Sequence, residues 1–213
     1  MEAEPIFRNR TEAGKALAVS LAEVVAEPGA LILALPRGGV PVGFQIAQVL
    51  HADLDVFIVR KLGLPGQEEL ALGAIASGGV RVLNEDLIDE LQIPGWLIDE
   101  ITAREENELK RREELYRGGR PALAVHGRTV VLVDDGLATG ASMKAAVAAL
   151  RLQEPKRAVV AVPVAAREIF NEFRRHVAEI VCLHAPKHFT AVGVWYEDFA
   201  QVMDSDVQRL LGG

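Results

Sequence analysis

Apolar residues recur along this chain in two periods, and the alternation between them predicts most of the fold. Leu17, Leu21, Val24 and Val25 follow at helical spacing behind Asn9, which with Glu12 three residues on reads as a capping box; Pro28 and Gly29 then stop the helix. ALILAL at 30–35 is a continuous apolar run of the kind buried on both faces of a sheet. The turn Pro36-Arg37-Gly38-Gly39 leads from it through Pro41 into a helix over 42–50. DVFIVR at 55–60 predicts the next strand, LGLPGQEEL behind it has the Gly and Pro content of a loop, and LGAIA and VRVL flank Ser77-Gly78-Gly79 as a hairpin. VVLV at 130–133, AVVAVPV at 158–164 and EIVCLH at 179–184 predict three further buried strands separated by helical patterns. Alternation of this kind predicts an α/β fold, a mostly parallel twisted sheet with helices on both faces.

The stretch 84–120 breaks the alternation. It is helical and densely charged, as in EENELKRREE, with Trp96, Leu97, Ile101, Leu109, Leu115 and Tyr116 as its apolar members, and RGGRP at 117–121 reads as the link back to the core. Such a segment is either a solvated helical hairpin or a hood over a site. With 213 residues, half of them hydrophobic, the chain closes one ordinary core, so the expectation is a single domain over 1–213 with a helical insertion at about 84–120. Lys and Arg number 23 against 30 Asp and Glu, a formal charge of -7, which argues against a nucleic-acid partner; the basic run Lys110-Arg111-Arg112 is at most a local patch. No run approaches the ~18 apolar residues of a membrane span, so no membrane partner is expected. The N-terminal MEAEPIFRNR carries no apolar export signal, and the lone Cys182 fits a reducing, cytoplasmic setting.

Candidate chemistry concentrates at 130–142. A buried strand ending in Asp134 and Asp135 sets two carboxylates at the carboxyl edge of the sheet, where open α/β sheets bind ligands. Gly136-Leu137-Ala138-Thr139-Gly140-Ala141-Ser142 then combines two glycines and two hydroxyls directly before a helix, so backbone N–H groups and side chains can converge on an anion. Carboxylates for hydroxyls beside a loop for phosphate suit a phosphorylated sugar. Neither a nucleoside-triphosphate P-loop, GxxxxGK[ST], nor a GxGxxG dinucleotide turn is present. His184 and His188 flank Pro186 and so cannot share one helical turn as a zinc pair would.

VVLVDDGLATGAS resembles the phosphoribosyl pyrophosphate (PRPP) signature of the type I phosphoribosyltransferases, and on the full pattern the chain looks most like their uncharacterised predicted group. Gly136 departs from the pattern, being smaller than the aliphatic residue usual there. The resemblance implies that Asp134 and Asp135 hold the ribose hydroxyls and that 138–142 wraps the 5′-phosphate. LPRGGVPVG at 35–43 resembles the pyrophosphate loop, with Arg37, Gly38 and Gly39 facing the diphosphate. VRKLGLPGQEELALG at 59–73 resembles the mobile catalytic loop, with Lys61 as a pyrophosphate-binding lysine and Gly63, Gly66 and Gly73 as hinges; Glu68 and Glu69 lie within it. HFTAVGVWYEDF at 188–199 is similar to the base-stacking segment of the 6-oxopurine enzymes, which implies Phe189, Val192 and Trp195 at the acceptor and Glu197 or Asp198 near a magnesium ion held with Asp134 and Asp135.

The implied reaction displaces pyrophosphate from PRPP by a nitrogenous acceptor, with Mg²⁺ as cofactor and Asp134, Asp135, Lys61 and Arg37 as the working residues. Ala138 stands where the 6-oxopurine enzymes carry an aspartate, which implies a pyrimidine-like or other small acceptor. A PRPP-sensing regulator without transferase activity is the alternative. A homodimer, with the insert reaching across it, is an arrangement the sequence leaves open.

Overall fold

In the computed structural model, which describes residues 4–25, 28–177 and 179–212, the first helix, α1, covers Arg10–Val24. The side chains of Glu68, Glu69 and Val177 lie outside the described residues. Asn9 caps α1 by accepting from the Glu12 N–H at 3.0 Å, while the Glu12 carboxylate reaches back one residue further than a standard capping box, to the Arg8 N–H at 2.6 Å. Strand β1 (Leu31–Ala34) follows, then α2 (Gly39–Leu50), which starts three residues earlier than predicted. After β2 (Asp53–Val56) the chain builds β3 (Val59–Leu64), β4 (Gln67–Ala76), β5 (Val80–Leu83), α3 (Glu85–Glu90) and α4 (Gly95–Arg117). It then returns through β6 (Thr129–Val133), α5 (Ala141–Arg151), β7 (Arg157–Val164), α6 (Arg167–Glu172), β8 (Glu179–His184) and α7 (Asp204–Leu210).

Five strands form one parallel sheet in the order β2-β1-β6-β7-β8. Continuous apolar runs make its central strands because both faces are covered. Val131 and Val133 of β6 point into the core under α1 and α2, with Leu17, Leu21, Val42 and Ile46. Val130 and Leu132 point the other way, onto Met143, Val147 and Leu150 of α5. The chain moves outward from β1 to β2 and later resumes on the other side of β1 with β6, so winding reverses between β1 and β6. A reversal opens a crevice at the carboxyl ends of those two strands. The sequence motifs lie there.

The predicted strand at 55–60 and the loop after it are corrected. The parallel strand β2 ends at Val56, and 59–76 is a hairpin: β3 pairs antiparallel with β4, Leu64 opposite Gln67 across the two-residue turn Pro65-Gly66. Gly66 adopts φ +81 in that turn, where L side chains are strained. Gly73 lies within β4, where a Cβ would run into the Val82 backbone of β5. Leu62, Leu72 and Ile75 of the hairpin are buried with Ile98, Ile101 and Leu109 of α4, and each fully buried Leu contributes about 1.5–3 kcal/mol. The insert is therefore packed on the three-stranded antiparallel sheet β3-β4-β5 rather than being a solvated hairpin, although Trp96 stays 67% exposed.

Candidate active site

β6 delivers Asp134 and Asp135 to the crevice. Asp135 is clamped from both ends: Arg10 Nε donates to its Oδ2 at 2.8 Å, and the Tyr196 hydroxyl donates to its backbone carbonyl at 2.6 Å. The Arg10 guanidinium also lies 3.8 Å over the Phe199 ring and donates to the Ala200 carbonyl at 2.8 Å. Asp134 accepts from the Asp135 N–H at 2.8 Å. Burial, reinforced by the neighbouring Asp135 charge, pushes the Asp134 carboxyl well above the usual carboxylate range. Burial also raises Asp135, against the opposing pull of Arg10.

Beyond the acids, Gly136 passes under Val192. A Cβ at Gly136 would stand 2.6 Å from Val192 Cγ1, so the aliphatic position of the usual pattern is filled here from the C-terminal segment. Leu137 ties the loop to β7, donating to the Val164 carbonyl at 2.9 Å and accepting from the Ala166 N–H at 2.9 Å. The N–H groups of Ala138, Thr139 and Gly140 have no hydrogen-bond partner among the described residues. Gly140, at φ +70, turns the chain into α5, whose first turn contains no acid. Open amides and a helix N-terminus make an anion cradle.

The turn after β1 faces the same acids. A Cβ at Gly38 would overlap the Asp135 carboxylate, so only glycine lets the two strand ends approach. Gly39 N–H is spent on the Leu35 carbonyl at 3.0 Å, whereas the Arg37 and Gly38 N–H groups have no partner among the described residues. A cavity of about 120 Å³ joins Leu35 and Pro36 of this turn to Asp134, Ser142, Phe57, Ile58, Val59 and Arg112. Asp135 opens instead to a neighbouring cavity of about 420 Å³ with Arg10, Arg37, Gly38 and Phe199.

Not every expected residue gathers here. Lys61 is exposed on β3 and lines a groove with Ala141 and Lys144, away from the Asp134 cavity. Arg37 does line the Asp135 cavity, but its guanidinium leans toward α7, with Nη1 3.7 Å from Asp204, which also accepts from the Tyr116 hydroxyl of α4 at 2.7 Å. Phe189 stacks on Trp195, ring centroids 6.0 Å apart, and with Val192 packs in a core cluster around Phe7. The Trp195 indole nitrogen is buried without a hydrogen-bond partner among the described residues. Glu197 and Asp198 are exposed and fastened by their backbones to Phe7 and Arg8; Asp198 lines a different cavity from Asp134, beside Asn9 and Thr11. Among the described residues no three His, Cys, Asp or Glu side chains gather into a metal cage. Arg10, Tyr196 and Arg112 were not foreseen. Arg10 and Asp135 lie 125 positions apart, and nothing local in either segment signals their pairing.

The family model for the phosphoribosyl transferase domain matches residues 13–194, which span both loops and the acid pair. The chain belongs to the phosphoribosyltransferase family. Two strains of Mycobacterium tuberculosis each hold a protein named "Putative phosphoribosyl transferase" that is 43% identical over 206 residues, covering 97% of this chain. The chain spans 46% of the length of those relatives. Among solved structures, that of protein TT1426 from Thermus thermophilus is similar over 96% of this chain and 97% of its own, at 45% identity and a TM-score of 0.85. Protein AQ2163 from Aquifex aeolicus, 13% identical with a TM-score of 0.52 over 86% of this chain and 78% of its own, shares the fold. No helix among the described residues is long and apolar enough to cross a membrane.

Proposed function

We propose that this chain transfers the 5-phosphoribosyl group of PRPP to a nitrogenous acceptor, releasing pyrophosphate. One observation carries the reading: at the reversal between β1 and β6, an acid pair runs directly into a loop with three open amides, opposite a glycine turn with two more. The open amides of Ala138, Thr139 and Gly140, with the Ser142 hydroxyl and the N-terminus of α5, bind the 5′-phosphate. Asp134 and Asp135 hold the ribose hydroxyls and balance the positive charge that develops on the sugar as the bond to the diphosphate breaks. The amides of Arg37 and Gly38 receive the departing diphosphate. Arg10 and Tyr196 act through Asp135, fixing its side chain and backbone.

Magnesium fits this donor set. Two adjacent carboxylates offer hard oxygens but no full cage, and Mg²⁺ takes one or two carboxylates and fills its remaining positions with phosphate oxygens and water. Asp134 and Asp135 are the residues that would hold it, and when bound it supplies charge neutralisation on the diphosphate.

The acceptor is read from what the loop lacks. Ala138 can neither give nor take a proton, and proton handling by a placed side chain is worth ~100- to 10,000-fold. Uracil-like or other small acceptors are therefore favoured over guanine and hypoxanthine. The test is pyrophosphate release from PRPP and magnesium with guanine, hypoxanthine, uracil and orotate. Release with a pyrimidine and little with guanine is the expected result. A kcat/KM for guanine at or above ~10,000 M⁻¹s⁻¹ contradicts the acceptor assignment, and PRPP binding without release in any mixture replaces the transferase with a PRPP sensor.

A further inference from the structure

The charged helix α4 brings a cation to the acid cavity. Glu108, Arg111 and Arg112 form a small network on its surface: Arg111 donates from Nε to Glu108 Oε2 at 2.7 Å and from Nη2 to Oε1 at 3.0 Å, and Arg112 Nε donates to Oε1 at 2.7 Å. These hydrogen bonds hold the Glu108 carboxyl down at about 2, so the anchor stays ionised at any physiological pH. Arg112 is thus gripped by Nε alone, and its two terminal nitrogens have no partner among the described residues. Its side chain lines the cavity of about 120 Å³ with Leu35, Pro36, Asp134 and Ser142.

The two cations the sequence assigned to the leaving group do not line this cavity. Arg37 lines the Asp135 cavity and leans on Asp204, and Lys61 lines the groove beside Lys144. Arg112 is the cation that shares a cavity with Asp134. We propose that Arg112, held by Glu108, binds a phosphoryl oxygen of the PRPP diphosphate, so that the insertion helix completes the active site within its own chain. This rests on reading the site as a PRPP pocket. A guanidinium fixed at Nε presents its terminal nitrogens as a planar two-donor fork, the geometry that matches a phosphate edge. The cavity is too small for a whole cosubstrate but suits one phosphoryl group. Ser142, on the 5′-phosphate side, lines the same cavity, but the 5′-phosphate already has the open amides of 138–140, while Leu35 and Pro36 put Arg112 at the foot of the diphosphate turn, which favours the diphosphate.

Calorimetric titration of the parent and Arg112→Ala with PRPP, inorganic pyrophosphate and ribose 5-phosphate, each with magnesium, tests this. The expected result is a loss of about tenfold or more for PRPP and pyrophosphate, the scale of a charge-assisted hydrogen bond, with ribose 5-phosphate within about twofold of the parent. Arg112→Gln, close in shape, repeats the measurement should truncation loosen α4, and ligand-free melting curves check both folds. Affinities for PRPP and pyrophosphate unchanged in both variants overturn the role of Arg112 while leaving the PRPP site standing. A loss confined to ribose 5-phosphate overturns the choice of the diphosphate. A parent that binds none of the three overturns the PRPP site and this inference together.

Discussion

At the scale of single residues, the acid pair joins a functional need to a cost in stability. The Asp134 carboxyl is raised above its ordinary value near 3.8 chiefly by burial and then by the Asp135 charge. A raised folded-state pKa means that the folded form binds this proton more tightly than the unfolded form. The stabilisation is fully present below the unfolded value and is lost as pH rises through the folded one. Asp134→Asn keeps an oxygen to accept from the Asp135 N–H and removes the charge. Its melting temperature is therefore expected to exceed the parent's at neutral pH and to converge with it toward about pH 4, while PRPP binding weakens. Melting curves across that range decide the matter; a variant less stable than the parent at neutral pH contradicts this account of Asp134. Such a residue was legible in the sequence because two acids ending an apolar strand have little use in a core. Arg10 and Tyr196 were not, because what makes them part of the site is a distant approach of chain segments rather than any local pattern.

At the scale of elements, the polar anchor of α4 shows how an insertion is held. Arg117, buried in the last turn of α4, donates to both carboxylate oxygens of Asp55 in β2, at 2.9 and 3.1 Å, and to the Val56 carbonyl at 3.1 Å. Asp55 in turn accepts from the Leu123 N–H at 3.2 Å, tying down the return segment. Asp55→Ala leaves the buried Arg117 with Glu113, at 2.9 Å from its Nη1, as its remaining carboxylate partner, so a cost of about 1–3 kcal/mol is expected. Urea unfolding measures it, and a loss below about 1 kcal/mol would mean the pair is already solvated. Four of the five parallel strands, β1, β6, β7 and β8, were readable from their apolar runs, whereas β2 is set by DLDV at 53–56 rather than by the run at 55–60. The hairpin is less legible, because Pro65 and Gly66 suit a loop as well as a tight two-residue turn between β3 and β4. The charge density of α4 concealed its buried stripe of Ile98, Ile101 and Leu109, because three apolar positions among so many charges resemble a solvated face until a partner sheet is known.

At the scale of the whole molecule, the proposed function follows from where the winding reverses. Strand order places β1 beside β6, and their carboxyl ends bring the glycine turn at 36–39 and the acid pair together from positions about a hundred residues apart. The sequence motifs and their order were sufficient to anticipate this crevice, whereas the cavity lined by α4 depends on a layer whose packing the motifs do not encode. A site so assembled is expected to bind PRPP in the native state only, and a ligand at about 100 times its Kd then adds ~2.7 kcal/mol to stability. For a chain of this size that corresponds to a rise of roughly 5–10 °C in melting temperature. The most direct measurement is therefore a thermal melt of the full chain with magnesium, with and without saturating PRPP: a rise of that order is the expected result, and no shift at millimolar PRPP contradicts the assignment of this crevice to PRPP.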